Sequence, residues 1–477
     1  MGSAPIPTRF PRPRIEFAAL VLALAPALMA TPGHSPADYG AALDGRTLDR
    51  AALQAAIDAA HAAGGGTVAV PAGRTLLTGS FEMKSRVTLH LAPGSRLVAS
   101  TEREDYRDAV LIEAFGAEEI AFTGSGTIDG CGPAFMAEEQ PHIFRPKPWR
   151  PKVMLLEGCR RVRLSDFTIR DSPNWTIHFA GCDDVTVRGV TILNNRKIPN
   201  CDGIAPDHSR NVRISDCHIE AGDDCIVIKN RPEYMRYGPS ENIIVTNCTL
   251  VSTSAALKLG TETHDDIRGV LFSNCVIRGS HRGIALVLRD EGSISDVLVH
   301  NLVIETKLFH PAWWGGTEPI YVSARPRTPG GKIGTLRGLR FSHIIARGPG
   351  GVFIAGSPEC VPDDIVLDHV TVELTPSPDF PHSRIDERPP EPNPHAGPPA
   401  GEFRAEQESA VATAPLAGFR IREARGVALT NCTVRLATAP PPGAIALDTA
   451  RAEIVRNDAF REARGPVFPN HPTLPTP

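Results

Sequence analysis

The chain has 477 residues, which at roughly 150 residues per domain would make about three domains. Its 42 glycines and 44 prolines mark a turn-rich chain, and 42% hydrophobic residues are enough for a large core rather than a low-complexity coil. Lys+Arg 50 against Asp+Glu 54 leave a net charge of −4 without a long basic run, so no nucleic acid partner is expected, and 6% aromatic residues argue against a broad aromatic ligand platform.

At the N-terminus, Arg9, Arg12 and Arg14 precede an apolar run from Phe17 to Ala30. It is short and interrupted by proline for a bilayer span and reads as a signal peptide over residues 1–30, with a membrane anchor or a buried helix as the alternative. The expected mature protein is secreted or periplasmic, with no membrane contact after signal removal. Next, LDRAALQAAIDAAHAAGG has the pattern of an amphipathic helix from about Asp49 to Ala63 that stops at Gly64. Residues 31–70 are read as an N-terminal cap and first coil, the helix covering the open apolar end of a stack.

A short motif then recurs. VRLSDF begins at Val162, VTVRGV at Val185, VRISDC at Val212, IIVTNC at Ile243, VLFSNC at Val270, VLVHNL at Val297, LRFSHI at Leu339, IVLDHV at Ile365 and VALTNC at Val427. Each copy is a strand with period-two alternation, a small or polar turn residue and one more apolar residue. Six of the eight intervals lie between 23 and 31 residues, enough for three short strands and their turns but not for crossover helices. The leucine-rich signature is missing. The expected fold is all-β: a right-handed single-stranded parallel β-helix of about ten coils, spaced about 4.8 Å apart, with the N-terminal helix as its cap. Residues 71–374 form this domain. Residues 375–415, which include ERPPEPNPHAGPP, read as a Pro-rich loop or disordered excursion, 416–460 as the last coils and 461–477 as a C-terminal tail. Of the ten cysteines, Cys217, Cys248, Cys275 and Cys432 share one motif position, which suits stacked interior thiols, with disulfides as the alternative. No CxxC zinc spacing is present, and no metal is expected.

A second strand of each coil aligns on Ile177, Ile204, Ile226, Leu257 and Ile284. Two residues earlier stand Trp175, Asp202, Asp224, Ala255 and Arg282, and three earlier stand Asn174, Cys201, Asp223, Ser254 and His281. Asp202, Asp223 and Asp224 therefore meet on adjacent coils. Acids this close cannot all ionise cheaply, so at least one pKa rises, as acid/base catalysis of glycoside hydrolysis requires. A structural acid ladder or a calcium site is the alternative.

Here the sequence resembles glycoside hydrolase family 28, the polygalacturonase family, from about Tyr39 to Leu374. The segment from Asp38 to Gly73 looks like that family's N-terminal coil and cap, and GSGTIDGCG at Gly124–Gly132 like its early coil. Asn200-Cys201-Asp202-Gly203 is similar to the Asn-Thr-Asp motif, and Gly222-Asp223-Asp224-Cys225 matches Gly-Asp-Asp. The resemblance implies Asp223 as general acid, Asp202 with Asp224 holding and deprotonating the attacking water, and inversion at the anomeric carbon. Two motifs depart from the family: Gly-His-Gly is replaced by Ser254-Ala255-Ala256, and Arg-Ile-Lys, the pair that usually grips a galacturonate carboxylate, by Ala285-Leu286-Val287.

Alternation places Lys258 on the outer face beside the aspartates and Arg289 outward after Leu288. Lys258, Arg282 and Arg289 are candidate substrate-binding cations, His281 a stand-in for the lost histidine, and Glu262 and His264 lie on the following loop. Lys229 is a further candidate, or a cross-strand partner of Asp207. Trp175 is placed either to cover one end of a sugar site or to pack. Trp313 and Trp314 are candidates for a sugar platform or a cleft wall. The function this implies is a secreted inverting hydrolase of pectic polysaccharide, either galacturonan or rhamnogalacturonan, that needs no cofactor and acts as a monomer. A calcium-dependent polysaccharide lyase and a non-catalytic glycan-binding β-helix are the alternatives.

Overall fold

The computed structural model describes residues 2, 33–309, 316–375, 383–385, 412–436, 443–458 and 461–464. The signal-peptide segment, Trp313 and Trp314, and most of the Pro-rich excursion lie outside the described residues. The rest is a parallel β-helix of the right-handed sense that parallel crossover connections take. Among the described residues no helix is long and apolar enough to cross a membrane.

The motif sets the register. Val162, Val185, Val212, Ile243, Val270, Val297, Leu339, Ile365 and Val427, the first residues of the nine copies, stand opposite one another in one column. The fifth position is the corner of the coil and always takes a positive φ: Asp166, Gly189, Asp216, Asn247, Asn274, Asn301, His343, His369 and Asn431 lie between 52° and 70°. Left-handed backbone costs most L-residues about 1–2 kcal/mol and suits Gly, Asn and Asp best, which explains the small or polar residue there. The side-chain amides also ladder from coil to coil, Asn301 to Asn274 and Asn247 to Asp216, each at 3.3 Å. The sixth position turns inward, and Phe167, Cys217, Cys248, Cys275, Leu302 and Cys432 are all buried there. The ten cysteines are free thiols. Cys217, Cys248 and Cys275 hydrogen-bond along the stack, and the bond to Cys217 is the main reason that the Cys248 thiol is pushed up to about 12.

The stack extends beyond the motif. Strands Gly33–His34, Gly66–Val70, Val87–Leu91 and Ala121–Gly124 precede the first copy in the same column without its sequence signature. Helix α1 (Arg50–Ala62) seats Leu53, Ala56, Ile57 and Ala60 on the core and ends before Gly64, at φ 92°. Arg461–Arg464, expected in the tail, still pairs with Thr433–Leu436. Within the Pro-rich excursion, Ser383–Ile385 and Ala412–Ala414 form an antiparallel ribbon, and Ile385 is buried against the outside of the solenoid.

The corner conformation gives a direct test. Asn274→Val, which puts a β-branched residue at φ 53° and removes two amide contacts, is expected to lower unfolding stability by about 1–2 kcal/mol, while Asn274→Gly costs clearly less. Chemical denaturation of the two variants, with equal losses as the contrary result, checks this.

Candidate active site

The column that carries the acids consists of β1 (Lys152–Glu157), β2 (Ile177–Ala180), β3 (Ile204–Asp207), β4 (Ile226–Asn230), β5 (Ala255–Thr263), β6 (Arg282–Leu288), β7 (Ile320–Ala324) and β8 (Val352–Ala355). Ile177, Ile204, Ile226, Leu257, Ile284 and Ile320 are mutual partners, with Met154 before them. The position two residues earlier therefore reads, coil by coil, Lys152, Trp175, Asp202, Asp224, Ala255, Arg282, Glu318.

Asp202, Asp223 and Asp224 each offer a carboxylate oxygen, all within 4.8 Å of one another. Asp202 and Asp224 are buried and Asp223 is half-buried. Two glycines allow this packing: a Cβ on Gly203 would lie 2.4 Å from the Cys225 carbonyl, and one on Gly222 2.3 Å from that of Ile198. Asp224 accepts hydrogen bonds from the Ala255 amide at 3.1 Å and from the Lys258 ammonium at 2.7 Å. Asp223 accepts from the Asp224 amide at 3.0 Å and from Asn200 at 3.4 Å; Asn200 is held in turn by Arg150 at 2.6 Å. Asp202 Oδ1 is buried without a hydrogen-bond partner. Burial, and then the charge of Asp224, raise Asp223 to about 6. Burial, and then the charge of Asp223, lift Asp202 well above the carboxylate range. An acid cluster with one fixed ammonium is built to hold protons at mildly acidic pH.

The outer face differs on the two sides of the acids. Toward the C-terminal coils, Ala255, Ala285, Val287, Tyr321, Phe353 and Ala355 form an apolar patch under Ile385 of the ribbon, with the rings of Tyr321 and Phe353 stacked at 5.3 Å. Ala255, Ala285 and Val287 are the residues that the sequence resemblance sets at the family's histidine, arginine and lysine positions. Toward the N-terminal coils, Trp175 lies on Ala205 and Val227, with Lys152, Lys229 and Arg231 over its ring.

Several expected cations are already occupied. Lys258 reaches the acids as alternation predicts. Lys229 stands opposite Asp207 in register but pairs with Glu262 at 3.0 Å, because Asp207 is taken by His178 at 3.1 Å and by the Arg231 amide at 3.0 Å. The Lys229 charge in turn holds Glu262 far below the usual carboxylate range, against the cost of its burial. Arg282 is neutralised by Glu318 at 2.9 Å and stacks on Tyr321 at 3.7 Å. Arg289, expected as an outward cation, is buried and donates to the Leu288 carbonyl at 2.9 Å and to the Ser323 hydroxyl at 3.1 Å. His281 does not reach the groove as a substitute histidine: it is fully buried and accepts a hydrogen bond from the Phe309 amide at 3.0 Å. His264 faces Asp290 and Glu291. Sequence reading missed Lys152, Arg231, Arg150 and Glu318. Glu318 and Lys152 carry a detectable signal, since both fall at the acid position when the alignment is extended by a coil in each direction; Arg150 and Arg231 come from loops with no periodicity to place them.

Comparisons agree with this architecture. A probable polygalacturonase from Vitis vinifera is 29% identical over 371 residues, covering 71% of this chain and 73% of its own. An exo-poly-alpha-D-galacturonosidase from Dickeya chrysanthemi is 26% identical over 306 residues, 52% of this chain and 50% of its own, so the chain spans only half the length of that relative. The crystal structure of a hyperthermoactive exopolygalacturonase from Thermotoga maritima superposes with a TM-score of 0.62 at 23% identity, over 72% of this chain and 87% of that one. The model of glycosyl hydrolases family 28 matches residues 63–306, the stretch that holds all three aspartates, and the chain belongs to that family.

Proposed function

We propose that this glycosidase is an exported, inverting hydrolase of pectic polysaccharide, with Asp223 as general acid and Asp202 and Asp224 as the pair that handles water. The carrying observation is the half-buried Asp223 carboxyl raised to about 6 beside an Asp224 carboxylate balanced by Lys258. Asp223 gives its proton to the glycosidic oxygen as the bond to the anomeric carbon breaks. A water oriented by Asp202 attacks that carbon from the opposite face and passes its proton to Asp224, whose charge Lys258 balances. Lys258 also gives the cluster a fixed cation of its own, which supports hydrolysis over a calcium-assisted elimination. The polygalacturonase names of the relatives support pectic substrates, and the basic, apolar run at residues 9–30 supports export.

Asp223→Asn is expected to lower kcat on the best pectic substrate by about 10²–10⁴-fold. In water enriched in heavy oxygen, the wild-type product carries one labelled oxygen at its new reducing end, with the first-formed anomer inverted. An unsaturated product absorbing in the ultraviolet, or unchanged turnover by Asp223→Asn, contradicts the reading.

The pH dependence follows from the same cluster. The acid must be protonated to work, so kcat/KM falls as pH rises through about 6. Lys258 favours ionised Asp223 and so lowers its pKa. Lys258→Met is therefore expected to move the alkaline limb to higher pH while lowering the maximal rate, because Asp224 loses its partner. A limb that stays in place or moves to lower pH contradicts this assignment.

A further inference from the structure

Among the described residues of the C-terminal flank, Arg282 and Arg289 are bound into the protein, beside an apolar patch under Ile385. The opposite flank carries three cations around one indole. The Lys152 ammonium lies 4.5 Å from the Trp175 ring centroid, Lys229 Nζ 5.1 Å and the Arg231 guanidinium 5.2 Å. Lys229 is balanced by Glu262 and Arg231 by Glu233. Lys152 differs. Among the described residues no carboxylate lies within salt-bridge distance of it, and its ammonium meets only the indole face and His178 Nδ1, at 3.2 Å. His178 is fully buried, and burial holds it down to about 4, so the ring is neutral. With Nε2–H donated to Asp207 at 3.1 Å, Nδ1 is left as an acceptor, which fixes the direction of the lysine. Tyr234, edge-on to His178 at 5.5 Å, closes the back of the cluster.

We infer that Lys152, with Arg231 and Trp175, forms a carboxylate-binding subsite that reads a uronate residue of the glycan on the N-terminal side of the acids. Lys152 stands two coils before Asp202 in the same row, about 10 Å along the axis at roughly 4.8 Å per coil. That places the recognised sugar beyond the reacting one, so the site sorts chains by charge without touching the bond broken. Trp175 is itself buried, 9% exposed, so its indole acts as the floor that holds the cations by cation–π contact, and the Lys152 ammonium is the group that meets the sugar carboxylate. Burial, and then the Arg231 charge, lower Lys152 to about 8; an anion arriving between them relieves that repulsion. The inference deepens the pectic reading above and rests on it for the identity of the ligand.

The test is calorimetric binding to the full-length Asp223→Asn chain, which needs no turnover, using trigalacturonate and its carboxyl-reduced neutral counterpart. Lys152→Met, which keeps the stem on the indole, is expected to weaken trigalacturonate binding about tenfold or more, roughly 1.4 kcal/mol, and to leave the neutral trisaccharide unchanged. Arg231→Gln should show the same selectivity. Unchanged trigalacturonate affinity in both variants, equal losses for both sugars, or no binding of trigalacturonate to the parent chain overturns the subsite. The hydrolytic reading is judged separately, by the labelled-oxygen product of the wild-type chain.

Discussion

Register between neighbouring coils is the constraint on which everything else rests. In a parallel stack a one-residue slip would send every inward side chain outward, and here the positive-φ corner after each motif strand, from Asp166 to Asn431, forbids that slip nine times over. The corner residues carry no chemistry. They ensure that the position two before Ile204 and the position two before Ile226 lie side by side, and this alone brings Asp202 to Asp224 across adjacent coils. The acid cluster is thus a product of the same repeat that fills the core, with the acids standing where other coils place Trp175, Ala255 or Arg282.

Within that frame, electrostatics divide the labour. Three carboxyls within 4.8 Å of one another cannot all carry charge in a buried setting. Lys258 lies against one of them, at 2.7 Å from Asp224. The Asn200–Arg150 relay restrains Asp223 without a full ion pair, leaving burial free to raise its pKa. On the flanks, Ala255, Ala285 and Val287 are the seat of Ile385, and Lys152 lies on the other side, beside Trp175.

The fold and the acids were legible because both are periodic. Strand starts from Val162 to Val427 share one pattern at regular intervals, and the same arithmetic puts Asp202, Asp223 and Asp224 together. The partners were not legible, because pairing depends on side-chain reach rather than on register. Lys229 faces Asp207 in sequence alignment yet extends to Glu262 on the next coil. Arg289 lies on an outward position, but its long side chain folds back to Ser323. His281 has the right position and the wrong surroundings, since the Phe309 backbone claims it. Ile385 sits in a stretch whose composition argues for disorder, and a single apolar residue there finds a patch that composition cannot foresee.

The central claim is that register forces the three aspartates to share protons near neutral pH. It is tested most directly by titrating the aspartate carboxyl carbons of selectively ¹³C-labelled protein by NMR. The account predicts a carboxyl with a midpoint near 6 that disappears in Asp223→Asn. If every aspartate in the wild-type protein titrates in the ordinary carboxylate range near 4, the shared-proton cluster, and the acid assigned to it, are wrong.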